Sequence, residues 1–390
     1  MEYLLTEDQT MIKELAREIA EEKIIPVRAE LDEKEEFPHE IMKILAQADL
    51  FRLFIPEEYE GLGGGNLDLC LVIEELTRGC LGVATSYSAN ALGAFPIILN
   101  GSKEQKKKYL TKIANGALAA FGLTEANAGS DAAAIQTTAV LDRDKNEYII
   151  NGTKQWITNG GEADIYTIIA LTDKKRGARG ASAFIIEKGT PGFSFGKKEK
   201  KMGIRASSTR ELIFDNCRIP KENLIGSEGM GFLIAMKTLD HARTGVGAQG
   251  VGLAQGAFEE ALKYAKQRVQ FGSPIISFQA IQHMLADMVI QIEAARALLY
   301  AACRSIDKKS RNASKDAAIS KVFASDVAMK VTTDAVQIFG GYGYMREYPV
   351  EKMMRDAKIL QIYEGTNQIQ RNVIAQALIK ETLANTKVKK

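Results

Sequence analysis

An acidic residue among apolar neighbours near the end of the chain is the first candidate for chemistry. Glu364 comes after Ile359, Leu360 and Ile362 and is followed by Gly365. Burial among apolar side chains raises the pKa of a carboxylate and makes it a useful proton acceptor. Glycine lets a ligand or the backbone approach closely. The pattern indicates either a catalytic base or the end of a helix, because an acid beside a glycine is also common at helix ends.

Metal-binding and nucleophile signatures are missing from the sequence. His39, His241 and His283 lie in separate segments without the spacing of a zinc site. There is neither a G-x-S-x-G serine motif nor a Cys–His signature. A carboxylate is therefore the candidate base, and an organic cofactor is the candidate for chemistry that side chains do not perform.

A glycine pattern in the second half of the chain matches G-x-G-x-x-G on paper. It consists of Gly245, Gly247 and Gly250. A dinucleotide-binding fingerprint requires a preceding strand and a surrounding βαβ unit, whereas residues 239–243 continue a helical pattern. The pattern therefore favours close packing between helices over dinucleotide binding.

Two other segments have residues suited to a flat ring. Residues 124–131, TEANAGSD, form a polar segment that follows helical sequence. Its hydroxyls and amides fit either a cofactor ring or an ordinary interdomain turn. Trp156 is the only tryptophan, and it suits either stacking on a ring or filling a core.

Composition and charge are those of an ordinary folded protein. The chain has 390 residues, of which 46% are hydrophobic and 26% charged, and a net charge of +2. This length predicts two or three domains. The small net charge gives no indication of nucleic-acid binding. The basic run at 197–201 is typical of a solvated loop, with a surface for an anionic ligand as the alternative.

The cysteines and the apolar segments predict a compartment. Cys70, Cys80, Cys217 and Cys303 are scattered, which is typical of reduced thiols in the cytosol. The first residues lack an export signal, and no apolar run approaches the ~18 residues needed to span a membrane. We expect a soluble cytoplasmic protein without membrane association.

Periodicity divides the chain into helical, β and helical parts, with boundaries after residues 120 and 229. Capping boxes at Thr6 and Ser102, a cap at Asn66 and a first helical position at Pro38 are expected in the first part. Short β-branched runs separated by turn signals predict an antiparallel barrel or sandwich in the second. Strands are predicted at 136–141, 148–151, 155–158, 165–171, 183–186 and 211–219, and helices at 66–79, 88–99, 278–305, 314–339 and 367–383.

Five motifs in this chain resemble those of acyl-CoA dehydrogenases. They are FGLTEANAGSD at 121–131, NGTKQWITN at 151–159, RVQFGSPI at 268–275, QIFGGYG at 337–343 and YEGT at 363–366. They occur in the order of the family, and the resemblance covers about residues 3–380. Within this family, the overall sequence pattern is most similar to that of the short-chain, or butyryl-CoA, dehydrogenases.

The resemblance implies a fold, a cofactor and an assembly. The fold is mostly α with a β domain: an N-terminal helical domain, a middle antiparallel β-barrel or sandwich and a C-terminal four-helix bundle. FAD lies between the β domain and the bundle of a homotetramer. The implied FAD-binding residues are Phe121, Leu123, Thr124, Gly129, Ser130, Trp156, Ile157, Thr158, Arg268, Phe271, Gln279, Gln337, Gly340, Gly341, Thr366 and Gln368.

The resemblance also implies a mechanism. Glu364 matches the base that removes the α-proton of an acyl-CoA thioester, while the β-hydrogen leaves as hydride to flavin N5 and yields a 2-enoyl-CoA. The backbone N–H of Glu364 and a flavin ribityl hydroxyl stabilise the enolate oxygen. Relatives that carry the base on the other helix would have it at Ala242, which has no acidic group. The implied substrate-binding residues are Ser130, Tyr87, Asp240, Arg243, Tyr363 and Gly365.

The sequence leaves a wider choice for the acyl-CoA substrate and for the direction of the reaction. The resemblance implies that residues 83–95 wall the acyl end. They contain no charged residue, which disfavours a distal carboxylate. Tyr87 and Phe95 would shorten the tunnel, so a short, branched or compact cyclic acyl-CoA is expected. His241 either contacts CoA, narrows the site or packs internally. Electron-transferring flavoprotein is the expected partner; the alternatives are an enoyl-CoA reductase driven by that partner in reduced form and a non-catalytic acyl-CoA-binding protein.

Overall fold

The first part of the chain is a set of helices that begin at strong local signals. The computed structural model describes residues 3–388, with side chains up to residue 383. The predicted capping boxes of Thr6 with Gln9 and of Ser102 with Gln105 are both formed. The helices are α1 Glu7–Ile19, α2 Arg28–Glu33, α3 His39–Gln47, α4 Asn66–Gly79, α5 Leu81–Asn100, α6 Lys103–Gln105 and α7 Thr111–Ala114.

Three local predictions in this part need correction. α5 begins at Leu81 rather than at residue 88, because extended Cys80 is the only break between it and α4. Pro38 precedes α3 instead of being its first residue. Asn66 is inside α4, whose first amides donate to the Asp307 carboxylate: Asn66 N at 2.6 Å and Leu67 N at 3.1 Å. A residue distant in sequence therefore caps this helix.

The middle part is an eight-stranded sheet. Its strands are β1 Ala119–Gly122, β2 Thr138–Asp142, β3 Glu147–Thr158, β4 Ile165–Leu171, β5 Ala181–Glu187, β6 Phe193–Phe195, β7 Thr209–Pro220 and β8 Leu224–Ile225. Their order in the sheet is β6-β7-β3-β2-β4-β5-β8, with β1 also paired to β4. The pairing is antiparallel except for β1 with β4 and one residue pair between β2 and β4, which are parallel.

Two predicted strands, 148–151 and 155–158, form the single irregular strand β3. The ladder between β3 and β7 shifts register around Gly152 and again between Lys154 and Ile157. Trp156 lies in the second irregularity with φ of +56°. The bulge turns this side chain outward, and it is 57% exposed. Trp156 therefore does not fill a core.

β4 separates two hydrophobic cores. Ile165 and Ile169 belong to the large core that the helices share, whereas Tyr166 and Ile168 belong to a smaller core inside the β part. All seven residues of β4 are buried because both faces of this strand are covered. The β part is thereby fixed against the helices that form the candidate site.

The C-terminal part consists of long helices joined by short connections. They are α8 Gly231–Gln267, α9 Gln279–Asp307, α10 Ala313–Phe339, α11 Val350–Ala357 and α12 Asn367–Val388, with the hairpin β9 Val269–Gln270 and β10 Ser273–Pro274 between α8 and α9. α9 and α10 lie within two residues of the predicted bounds, while α11 was not predicted. Among residues 3–388, we find no helix with the length and apolar character that crossing a membrane requires.

The G-x-G-x-x-G pattern lies within α8 and not at a strand-to-helix turn. This agrees with the prediction that these glycines serve close packing between helices. A Cβ at Gly250 would be 2.7 Å from the carbonyl oxygen of Ala324 on α10. A Cβ at Gly252 would be 2.1 Å from the carbonyl oxygen of Glu74 on α4. The small residues therefore let α8 lie close to both neighbouring helices.

Candidate active site

A cavity opens to the surface where α4, α5 and α8 meet the segment before α12. Its walls are mainly apolar and include Ile73 of α4, Leu92 and Phe95 of α5 and Val246 of α8. Thr158, at the end of β3, also lines it. Among the residues that the structure describes, Glu364 is the only carboxylate in the lining.

Glu364 occupies a strained turn between a 3₁₀ turn at Lys358–Gln361 and the start of α12. Its φ is +55° and that of Gly365 is +90°. Gln370 Nε2 donates to the carbonyl oxygens of Glu364 at 3.0 Å and Gly365 at 3.1 Å. A Cβ at position 365 would be 2.5 Å from the same Nε2, so this turn requires glycine.

Glu364 is half-buried, and one oxygen of its carboxylate is buried without a hydrogen-bond donor. Its Oε2 has no partner among the described residues. Desolvation raises the pKa of Glu364 from 4.5 to about 7, and the positive charges of Arg243 and Lys321 oppose this rise. A buried carboxylate whose pKa is near neutral has the properties of a general base.

Polar side chains continue from Glu364 along one wall of the cavity. The Tyr363 hydroxyl donates to Gln249 Oε1, and Gln249 Nε2 donates to Ser88 Oγ at 3.3 Å. The rings of His241 and Phe95 are 5.2 Å apart between centroids, and both line the cavity. His241 therefore narrows this space by packing on Phe95.

Tyr87 was predicted to contact the substrate, but its side chain points away from the cavity. It is fully buried against Phe51 and Phe54, and its hydroxyl donates to the carbonyl oxygen of Leu50 at 2.8 Å. The phase of α5 places Ser88 and Phe95, and not Tyr87, in the lining of this cavity.

Several predicted FAD-binding positions are open to solvent. The exposed indole of Trp156 lies two residues before Thr158 on β3. A Cβ at Gly129 would meet no atom within 4 Å, and the same holds at Gly340 and Gly341. An exposed aromatic ring and open backbone positions are compatible with the isoalloxazine and diphosphate of FAD.

The other predicted site residues lie in different settings. Phe121, Leu123 and Ile157 are buried in the sheet region, Thr124 and Thr366 are half-buried, and Gly129, Ser130, Gln279, Gln337 and Gln368 are exposed. Phe271 is 95% exposed, and the Arg268 guanidinium lies 5.3 Å from the centre of the Tyr342 ring. None of these side chains lines the cavity around Glu364.

Asp240 and Arg243, predicted to contact CoA, are paired with each other. Arg243 Nη1 donates to Asp240 Oδ1 at 2.6 Å, and Ser314 Oγ donates to the same oxygen at 2.8 Å. Arg243 Nε is buried and has no partner among the described residues. Asp240 is thus engaged by α8 and α10, while Arg243 retains an unused donor.

Family models match all three parts of the chain. The N-terminal, middle and C-terminal domains of acyl-CoA dehydrogenases match residues 6–117, 120–217 and 229–379. The chain belongs to the acyl-CoA dehydrogenase family. Members of this family are flavin-dependent enzymes that oxidise acyl-CoA. The predicted family and three-part fold are confirmed.

Two relatives of this acyl-CoA dehydrogenase have names that suggest opposite directions. The short-chain-specific acyl-CoA dehydrogenase of Clostridium acetobutylicum is 50% identical over 377 residues, which are 96% of this chain and 99% of the relative. The acryloyl-CoA reductase (NADH) of Anaerotignum propionicum is 48% identical over 381 residues, which are 97% of this chain and 96% of the relative.

Solved structures have the same fold over the same length. Butyryl-CoA dehydrogenase from Megasphaera elsdenii is 49% identical with a TM-score of 0.94, covering 97% of this chain and 100% of that one. A chain from a structure described as the electron transferring flavoprotein of Acidaminococcus fermentans is 53% identical with a TM-score of 0.95, covering 97% and 99%.

Two buried lysines near the site were not predicted to have a role. Lys154 Nζ donates to Glu125 Oε1 at 2.7 Å and to the carbonyl oxygen of Leu123 at 3.1 Å, which fixes the loop after β1. Lys321 of α10 contacts the turn at Glu364. The only signal for Lys154 was its place between Gly152 and Trp156, and the signal for Lys321 was a lysine within an alanine-rich helix.

Proposed function

We propose that this acyl-CoA dehydrogenase uses Glu364 to remove the α-proton of a short, branched or compact cyclic acyl-CoA. The observation that carries the proposal is the unpartnered Oε2 of Glu364 in a mainly apolar cavity. A carboxylate with no internal donor is free to accept a proton from a carbon acid placed against it. Its pKa of about 7 gives it both an ionised fraction and proton affinity at neutral pH.

The backbone of Glu364 supports a second role. Its N–H makes no hydrogen bond within residues 3–388. In the bound state this group would donate to the thioester oxygen as negative charge develops there. A donor of this kind is typically worth about 3 kcal/mol in the transition state.

The cavity supports a small apolar acyl group. Its lining contains no arginine or lysine, and Phe95 with His241 restricts one side. A distal carboxylate would be buried there without a cation, which is unfavourable. Acyl chains that end in a methyl group or a compact ring therefore fit better than glutaryl or adipyl groups.

FAD is the cofactor, and the exposed ring of Trp156 and the open backbone at Gly129 are compatible with it. A structure of an acyl-CoA dehydrogenase from Bacillus anthracis contains FAD; it is 36% identical, with a TM-score of 0.92 over 98% of this chain. Bound FAD supplies the acceptor for the two electrons removed from the substrate. Trp156 and Thr158 would hold its ring, and Gly340 and Gly341 would let a second copy of the chain approach it.

The proposed assembly is a homotetramer that exchanges electrons with an electron-transferring flavoprotein. Phe271 supports a contact between copies, because a 95% exposed phenylalanine at the tip of a hairpin is otherwise unfavourable. The matching chain from the Acidaminococcus flavoprotein structure supports the partner. The acryloyl-CoA reductase relative keeps enoyl-CoA reduction as the second candidate, since one base and one flavin serve both directions.

An anaerobic titration of the purified holoprotein tests this function. Butyryl-, isobutyryl-, 2-methylbutyryl-, hexanoyl- and cyclohexanecarboxyl-CoA are added in turn while the flavin band at about 450 nm is recorded. We expect at least one of these to bleach the band and glutaryl-CoA to leave it nearly unchanged. Bleaching by glutaryl-CoA would contradict the apolar-cavity argument, and a flavin that only an enoyl-CoA reoxidises would favour the reductase.

A further inference from the structure

Lys321 is a buried cation in contact with the turn that carries Glu364. It projects from α10 and is fully buried. Its Nζ donates to the carbonyl oxygen of Gly365 at 2.9 Å and to Asn367 Oδ1 at 2.8 Å. Asn367 Nδ2 donates in turn to Ser325 Oγ at 2.9 Å. These bonds fasten the left-handed turn and the start of α12 to α10.

The charge of Lys321 has no carboxylate partner in direct contact. It forms no ion pair within residues 3–383, and Glu364 is the largest favourable electrostatic influence on it. Desolvation lowers the pKa of Lys321 to about 7. A buried ammonium held by neutral oxygens is costly, so its presence beside a buried carboxylate requires a reason.

The titratable and charged groups around this pair come from several elements. α8 contributes Arg243, paired with Asp240, and His241, while α10 contributes Asp326 and the turn itself contributes Tyr363. α4 and α5 contribute only uncharged side chains to the cavity. Lys321 and Arg243 are therefore the two cations that favour the ionised form of Glu364.

We propose that Lys321 is a positioning residue for the base: it holds the turn that presents Glu364 and supplies positive charge that keeps the buried carboxylate ionised. The inference rests on the proposed role of Glu364. It assigns a function to a buried lysine that does not line the cavity. Because the charge acts on Glu364 in a poorly solvated region, its removal should shift the ionisation of Glu364 measurably.

The first experiment compares pH profiles of kcat/KM for wild-type holoenzyme, Lys321→Met and Lys321→Gln. The cation favours the ionised form of Glu364, so its removal should raise the pKa of this carboxylate. In both neutral variants the acid limb of the profile should therefore shift to higher pH by about one unit. The difference in kcat/KM between wild type and these variants should become smaller above pH 8, because wild-type Lys321 has also lost its proton there. Lys330→Met is the matched control, because Lys330 is an exposed lysine of the same helix that pairs with Asp334.

The second experiment needs no turnover. Melting temperatures of wild type, Lys321→Met, Glu364→Gln and the double variant are measured at pH 7. We expect Lys321→Met to lower the melting temperature more when Glu364 is present than when it is glutamine, because only the carboxylate loses a counter-charge. This cycle decides the role of Lys321 even if no tested acyl-CoA bleaches the flavin.

Each result has a defined consequence. A shifted acid limb together with a non-additive cycle supports the proposal. A uniform loss of activity at all pH values, or an additive cycle, would overturn the role of the charge. The proposal would also be overturned if both neutral variants lost FAD while Lys330→Met retained it. Lys321 would then have only a structural role. Failure of the proposed function would instead appear as a wild-type flavin that no acyl-CoA reduces.

Discussion

The carboxylate of Glu364 combines burial with proximity to positive charge. One of its oxygens accepts no hydrogen bond, and burial outweighs the effect of Arg243 and Lys321 on its pKa. A base that reacts with a weak carbon acid needs high proton affinity but must still be ionised at the working pH. The two opposing influences place Glu364 between these requirements.

Replacing Glu364 by glutamine should abolish turnover while leaving the cofactor site intact. Glutamine has nearly the same shape but does not accept a proton at neutral pH. We expect the rate of flavin reduction by the best acyl-CoA to fall by about 10³-fold or more, with the flavin absorption spectrum retained. Stopped-flow measurements under anaerobic conditions check this, with exposed Glu347→Gln as the control.

The same variant should change the dependence of stability on pH. The folded-state pKa of Glu364 is raised above 4.5 to about 7. Its stabilising contribution is therefore complete below pH 4.5 and is lost as the pH rises to 7. The melting temperature of Glu364→Gln relative to wild type should increase across this interval, and a constant difference would contradict the burial of the charge.

Glu364 could be proposed from the sequence because acid, glycine and apolar neighbours are adjacent in the chain. Lys321 could not be linked to it, because the lysine is 44 positions away from the Gly365 carbonyl that it contacts. The buried direction of Tyr87 could not be predicted either, because an apolar, alanine-rich helix gives no signal for which face is toward the cavity. Side-chain direction on such a helix is decided by tertiary packing.

At the scale of elements, α8 is the helix around which the others pack. It is 37 residues long and packs closely against α10 and α4. At Gly250 and Gly252, backbone atoms of these two helices leave no room for a side chain on α8. The same helix carries His241, Val246 and Gln249 into the cavity. Its close packing therefore also sets the width of the site.

Gly250→Ala should destabilise the protein, although alanine is the better helix former. The new Cβ would lie 2.7 Å from the backbone oxygen of Ala324, so α8 and α10 must separate. We expect a cost of about 1–3 kcal/mol, seen as a lower denaturation midpoint. Gly245→Ala is the matched control: its Cβ would be 3.5 Å from the nearest atom, Ile73 Cδ1. This variant should be neutral or stabilising.

Several element boundaries could not be predicted because they depend on distant groups. α4 starts where the Asp307 carboxylate meets its first amides, and α11 has only eight residues, which is too short for its helical spacing to be distinctive. The long helices α9 and α10 were predicted closely because their apolar residues recur at helical spacing over many turns. Irregular β3 appeared as two strands because Gly152 interrupts its pattern.

At the scale of the molecule, α11 joins all three parts of the chain. Asp356 Oδ1 accepts from the backbone N–H of Ile204, in the β part, at 2.6 Å. Its Oδ2 accepts from Lys352 Nζ at 2.5 Å, and Lys352 Nζ lies 3.3 Å from Cys80 Sγ between α4 and α5. The three-part order followed from composition and periodicity, but this junction did not, because its members are far apart in sequence.

Asp356→Ala should weaken the junction of the three parts and release FAD more readily. The change leaves the buried ammonium of Lys352 without its carboxylate and the Ile204 N–H without an acceptor. Breaking a buried pair in this way costs about 3–5 kcal/mol, so the melting temperature should fall and flavin fluorescence should appear at a lower temperature. Asp334→Ala is the matched control, because Lys330 and Asp334 have the same spacing on α10 but lie at the surface; it should cost less than about 1 kcal/mol. Equal effects of the two variants would show that α11 does not hold the parts together.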